Sequence, residues 1–175
     1  MKGTETIFVT RELDKIKSVT EELEEKGYVY RYRILTHQVV EANKYVSEML
    51  HIPLASKVFE YCKLRIVEGQ PCDIEHEYIP YDLVKGIEKA DLEDRSLSVF
   101  LSDRYGLATE KSEESIMIVR ATEEEAGLLD LPANAEVMLI SGTCYDSAQA
   151  EKPMRIFQIT ARPSFFRFRT VNRNV

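Results

Sequence analysis

Lys63 and Arg65 stand two residues apart, and three acids, Asp73, Glu75 and Glu77, follow beyond a glycine. The run Lys63-Leu-Arg65-Ile-Val-Glu-Gly69-Gln-Pro71-Cys-Asp73-Ile-Glu75 alternates polar with apolar residues on both sides of Gly69, the pattern of a β-hairpin. A two-residue loop, Glu68-Gly69, would set Arg65 opposite Cys72 and turn Glu75 away from Lys63. A three-residue loop, Val67-Glu68-Gly69 with Gly69 in the left-handed bulge position, reverses that parity. One face then carries Tyr61, Lys63, Arg65, Asp73, Glu75 and Glu77, and the other Cys62, Leu64, Ile66, Cys72, Ile74 and Tyr78. This arrangement separates polar from apolar residues, and register follows burial, so it is the one predicted.

Two cations fixed on one strand face can grip a dianion, with the arginine binding bidentately. The same residues also suit a solvated face on which they pair across the hairpin with Asp73 and Glu75. Glu75 has two readings as well, an acceptor for the hydroxyl or amino groups of a polyol or a plain partner of Lys63. Ser18-Val19-Thr20-Glu21 is a capping box, whose helix start leaves N–H groups free for an anion or simply for the cap. Ser96 has the same double reading at a second helix start.

Other chemistry finds no support. Cys62, Cys72 and Cys144 form no CxxC pair, and His37, His51 and His76 have no metal-ligand spacing. The cysteines read as small core residues of a reduced cytoplasm, with no metal and no cofactor expected. No Ser/His/Asp set or paired catalytic group stands out, so an enzyme is not expected.

These residues must be held by elements that the rest of the chain supplies. At 175 residues, 44% hydrophobic and 30% charged, it suits one globular domain with a core. The net charge of −7 argues against a nucleic-acid surface, although Arg162, Arg167, Arg169 and Arg173 follow with no acid after Glu151. No apolar run approaches a membrane span and the start has no signal-peptide pattern, so a cytoplasmic protein is expected. Residues 1–17 read as a linker, 18–170 as the domain and 171–175 as a tail. Helices are predicted from Ser18 to Gly27, over Glu41–Leu50, after Ser96 to Gly106 and from Thr122 to Leu129. Strands are predicted over Val29–Val40, on both arms of the hairpin from Lys57 to Ile79, and over Thr109–Ala121, Val137–Tyr145, Met154–Ala161 and Ser164–Thr170. Hairpins with helices between them imply an α+β fold on a mostly antiparallel sheet flanked by short helices.

The order of these pieces resembles the effector-binding (UTRA) domain of the HutC subfamily of GntR-type transcription regulators. The carriers are Ser18-Val-Thr-Glu21 before Gly27, then Lys63-x-Arg65-x-x-x-Gly69-x-Pro71-x-x-x-Glu75-x-x-Tyr78-Ile-Pro80. Ser96-Leu97 leading to Tyr105-Gly106, Ala126-x-x-Leu129-x-Leu131-Pro132, and Thr143-x-Tyr145-Asp146 with Pro153 complete the set. The resemblance implies a chorismate-lyase-like fold and a homodimeric allosteric module. It also implies a small phosphorylated metabolite as effector, and operator DNA contacted only through an N-terminal winged helix missing from this chain. Lys2-Gly3-Thr4 looks like the end of that winged helix. By the same resemblance Val19, Thr20, Lys63, Arg65 and Ser96 hold the phosphate and Glu75 the sugar. Where family members often carry an acid after the proline of the last hairpin, a tyrosine six residues later and an aromatic after Ser-Leu, this chain has Arg155, Ala161 and Ser98. Arg155 therefore joins the candidate ligand residues, and the effector is expected to carry a second anionic group. The alternatives are a chorismate-lyase-like enzyme acting on a small carboxylate and a dimerisation module with a vestigial pocket.

Overall fold

In the computed structural model, which describes residues 7–93, 95–149 and 151–173, the hairpin turns on two residues rather than three. β3 (Lys57–Val67) and β4 (Gln70–Pro80) are joined by Glu68 and Gly69, with Val67 opposite Gln70. Both turn residues have positive φ, 49° and 78°, as a type I′ turn requires. Glu68 is held in that unusual conformation from outside the hairpin. Its N–H donates to the Val29 carbonyl at 2.8 Å, and its carboxylate accepts from the Val29 N–H at 2.6 Å.

The expected sidedness survives by another route. Ile66 pairs with Pro71 and Arg65 with Asp73, which leaves Cys72 as the extra residue of a bulge and restores the parity that the short turn would have broken. Lys63 therefore faces Glu75, and Tyr61 faces Glu77. Cys72 leaves the face assigned to it. It packs with Val67, Ala161 and Phe165, whereas Cys62, Leu64 and Ile74 form a separate cluster.

The hairpin sits inside a six-strand antiparallel sheet of order β2-β3-β4-β7-β6-β5. Its other members are β2 (Tyr30–Glu41), β5 (Lys111–Arg120), β6 (Glu136–Tyr145) and β7 (Pro153–Ala161). The fold is α+β, as predicted. On one face α2 (Lys44–Leu50) and α4 (Glu123–Leu128) bury Val46, Leu50, Ala126 and the following Leu129 against Val58, Cys62, Leu64 and Ile74. On the other, α1 (Val19–Lys26) and α3 (Leu97–Tyr105) bring Val19, Leu23, Leu97 and Leu101 down onto the charged side of the hairpin. That side is thus interior, not a solvated surface.

Local chemistry explains the helix ends. Ser18 and Thr122 each close a capping box with a glutamate three residues on, and Gly27 and Gly106 end α1 and α3 in the left-handed region. α2 starts later than predicted, because Asn43 provides the cap by accepting from the Val46 N–H at 2.9 Å. The segment expected to be linker is built into the fold from residue 7. Ile7 and Val9 are buried, and β1 (Val9–Glu12) pairs in parallel with β8 (Phe166–Arg169). β8 is shorter than predicted and lies outside the main sheet. Lys2-Gly3-Thr4 falls outside the described residues.

Gly142 on β6 stands opposite Phe157 on β7, and the ring lies over it. A Cβ at Gly142 would meet ring carbons at 2.3 and 2.4 Å. Gly142→Ala should therefore displace Phe157 and destabilise the domain by about 1–3 kcal/mol, seen as a lower midpoint in thermal or urea denaturation.

Candidate functional site

Six charged side chains meet at the centre of the sheet, three cations and three carboxylates. The cross-strand register of β3 and β4 supplies five of them, and β7 adds Arg155, next to β4 in the strand order. Arg65 forms ion pairs with Asp73 and, at 2.7 Å, with Glu75. Glu75 also accepts from Lys63 Nζ at 3.0 Å. Glu77 accepts from Arg155 Nη1 at 2.9 Å. Lys63, Arg65, Asp73 and Glu77 are at most 2% exposed. Lys63 Nζ also lies 4.5 Å from the Tyr32 ring centre and 5.4 Å from that of Tyr61, where a cation is attracted by the ring faces.

Burial acts on the three carboxyls alike, and their neighbours separate them. For Glu75, burial would raise the pKa, but Lys63 and Arg65, with Arg155 beyond, pull it from 4.5 to about 2. Burial wins for Asp73 and Glu77, which are both raised. Arg65 and Arg155 offset the effect only in part, and the like charge of Glu75 adds to it. Both arginines are held protonated against burial by these acids.

Above this cluster is a half-open cavity of about 390 Å³. Its floor is Glu75, Arg155, Phe157 and Ile159. One wall is the start of α1, Ser18 and Val19, and another is α3, through Ser98, Val99 and Ser102. Arg11 of β1 reaches across the rim to Glu114 of β5, with bonds of 3.0 and 2.8 Å. Arg155 is the most connected residue of the floor. Besides Glu77, it donates to Ser98 Oγ at 3.2 Å, Thr109 Oγ1 at 3.4 Å and Cys144 Sγ at 3.5 Å. Its buried Nε–H has no hydrogen-bond partner among the described residues, nor has that of Arg65.

Of the residues singled out in the sequence, Val19, Glu75 and Arg155 meet in this cavity. Lys63 and Arg65 lie beneath its floor, screened by Glu75. Thr20 is buried and hydrogen-bonded to the Tyr32 hydroxyl. Ser96 caps α3 and lines a separate depression with Lys85, Arg95 and Arg104. Ser98, two residues on, takes the place in the cavity that Ser96 was expected to fill. Ala161 is buried in the core beside Cys72. Arg11, Thr109 and Glu114 gave no local signal in the sequence, because tertiary folding alone brings them to the rim.

The helices on one side of the antiparallel sheet thus enclose a concave site of mixed polar and apolar lining over a charge cluster, the kind of place where small ligands bind. The family follows from comparison: the model of the UTRA domain matches residues 25–165, and the chain belongs to that family, the effector-binding domains of GntR-type transcription regulators. It is 26% identical over 137 residues to an uncharacterized HTH-type transcriptional regulator, YurK of Bacillus subtilis (strain 168), covering 78% of this chain and 57% of that protein. It is 22% identical over 133 residues to the HTH-type transcriptional repressor NagR of the same organism, covering 76% of this chain and 54% of that protein. The chain thus spans about half the length of these relatives. Among solved structures, the effector domain of PhnF from Mycobacterium smegmatis superposes with a TM-score of 0.85 at 17% identity, covering 95% of this chain and all of that one (100%). The C-terminal domain of YurK superposes with a TM-score of 0.75 at 20% identity, covering 94% of this chain and 99% of that one. The fold is the chorismate-lyase-like one that these domains share.

The cluster has measurable consequences. Asp73→Ala leaves a buried guanidinium short of a partner and should cost about 3–5 kcal/mol. Lys44→Ala, which breaks an exposed pair with Glu48, should cost less than about 1 kcal/mol; urea denaturation compares the two. Because the folded pKa of Glu75 lies below its unfolded value, its contribution is full above pH 4.5 and is lost as pH falls towards 2. Glu75→Gln should therefore lower stability at pH 7 and flatten its decline between pH 4.5 and 2, measured as unfolding free energy against pH.

Proposed function

We propose that this domain senses a small anionic metabolite, a phosphorylated sugar bearing a second anionic group, in the cavity between α1 and α3. The observation that carries this reading is Arg155: a buried cation on the cavity floor with an unpartnered N–H, facing the amino end of α1. A helix start and a fixed guanidinium together suit an anion. Ser98 supports the same reading. It and Arg155 are two of the three positions at which this chain departs from the pattern it resembles, and they touch at 3.2 Å. A small hydroxyl in place of an aromatic leaves room for the long arginine, so the two departures form one altered subsite.

The buried cluster sets terms for binding. Three cations are already matched by three carboxylates, so a phosphate adds charge to a neutral site. It competes with Glu75 for Lys63 and Arg65, or it leaves Glu75 in place and uses Arg155 and the start of α1. In either case Asp73 and Glu77, whose carboxyls already sit high, are the groups to take up protons. Binding should therefore be accompanied by net proton uptake, visible by calorimetry in buffers of different ionisation enthalpy.

The wider role follows the relatives, which are HTH-type regulators longer than this chain. We infer that the domain acts as a homodimer and that effector binding controls operator binding by an N-terminal winged helix, as a repressor. A thermal-shift screen of sugar phosphates, phosphorylated sugar acids and their dephosphorylated counterparts tests the ligand class. A ligand at a hundred times its dissociation constant adds about 2.7 kcal/mol. Only phosphorylated compounds should raise the melting temperature, and none should be turned over. Arg155→Gln should weaken binding at least tenfold and shift preference away from doubly anionic ligands. Unchanged affinity and preference in that variant would remove Arg155 from the site.

A further inference from the structure

α3 has a hollow on either side of it. Away from the cavity over the charge cluster, it faces a depression of about 790 Å³, against about 390 Å³ for the first. Ser96, Val99, Phe100, Asp103 and Arg104 line it from α3 and its cap, at the spacing of one helix face. The opposite wall is the loop 85–91, and this wall is pinned in place. Gly86, with φ at 89°, turns the chain between the 3-10 turns Tyr81–Leu83 and Ile87–Lys89. Its N–H donates to the Tyr81 hydroxyl at 3.3 Å, and the Tyr105 hydroxyl at the end of α3 donates to the Lys85 carbonyl at 3.4 Å. The depression is therefore formed before anything enters it.

Its lining is charged in the opposite sense to the chain. Lys85, Lys89, Arg95 and Arg104 stand against Asp91 and Asp103, a surplus of two positive charges in a chain of net charge −7. Of these cations only Lys85 forms an ion pair among the described residues, with Asp82 at 3.1 Å. Asp91 is turned to the backbone, where it accepts from the Glu93 N–H at 3.1 Å. The buried cations beneath the first cavity are, by contrast, each matched by an acid. Exposed arginines and lysines without a counter-charge suit phosphate oxygens. The remaining surface is apolar. The Phe100 and Tyr105 rings stand edge to face with centres 6.2 Å apart, and Val99 is 50% exposed. Such a surface accepts the face of a planar ring.

We propose that this depression is a separate ligand site, for a nucleotide. The base rests against Phe100 and Val99, and the phosphate chain is held by Lys89, Arg95 and Arg104. A sugar phosphate would leave the rings uncovered, and an uncharged ring would leave the cations without a partner. A ligand carrying both a ring and several negative charges uses the whole lining, and the larger space admits it. The site does not depend on the effector reading, since no residue of the buried charge cluster belongs to it. Val99 and Asp103 line both spaces, so α3 is their common wall.

Fluorescence titration with mant-ATP at physiological ionic strength tests the assignment. Unlabelled ATP should displace the probe at concentrations roughly tenfold lower than either tripolyphosphate or adenosine, because each of these keeps only half of the recognition. Arg95→Gln and Arg104→Gln together should weaken binding by roughly tenfold or more, and Val99→Asp should do the same by placing an acid beside the phosphates. These three positions are exposed, so the melting temperature should stay near that of the wild type. Lys44→Gln, which removes one positive charge from an exposed position of α2, should leave binding unchanged. Absence of saturable binding by the wild-type chain overturns the site. Affinity unaltered by the Arg95 and Arg104 substitutions, or lowered as much by Lys44→Gln, overturns its location. Displacement by tripolyphosphate as effective as by ATP overturns the nucleotide and reduces the depression to a patch of charge.

Discussion

The pairing of Arg65 with Asp73 and Glu75 at the centre of the sheet is the constraint on which the rest of this structure is built. Arg65 and Asp73 are buried and Glu75 is half-buried, and a buried charge without a counter-charge is strongly destabilising. The cluster has a price in desolvation, so apolar side chains of similar size would stabilise the domain at least as well. The register of β3 and β4 delivers these side chains to one face, and the bulge at Cys72 makes that register compatible with a two-residue turn.

The cavity takes its character from this cluster. Glu75 pairs with Lys63 and Arg65 and lines the cavity, so these two cations lie behind an acid. Arg155 is the one cation of the cluster that lines the cavity, and Glu77 behind it cancels much of its field. The rim has a different character. The Arg11–Glu114 pair joins β1 to β5 over the cavity, so occupancy of the site and the position of the leading strand are mechanically adjacent.

Much of this could be read from residue order, and for identifiable reasons. Capping boxes at Ser18 and Thr122, glycines at 27 and 106, and alternation in the hairpin are local signals whose meaning does not depend on the rest of the chain. The family pattern was similarly legible, since it rests on spacing. The turn at Glu68 was not, because a glutamate adopts positive φ there only with help from Val29, far away in sequence. Ser96 was the candidate at the start of α3, and Ser98 stood out only as a departure from the family pattern. The cap geometry of α3 points one away from the cavity and the other into it.

By itself, then, the sequence determined the four α-helices and every strand but β1, how they follow one another, and that Lys63, Arg65, Asp73, Glu75 and Glu77 share a face. These are consequences of periodicity and backbone propensity, which act over a few residues. Only the tertiary structure decided that this face is interior, because burial depends on where α1 and α3 come to rest. The same packing put Arg155 beside Glu77 and Ser98, placed Lys63 and Arg65 behind Glu75, and left Ile116, Met117 and Ile118 uncovered. Each of these is a distance between residues far apart in the chain, and no local rule contains it.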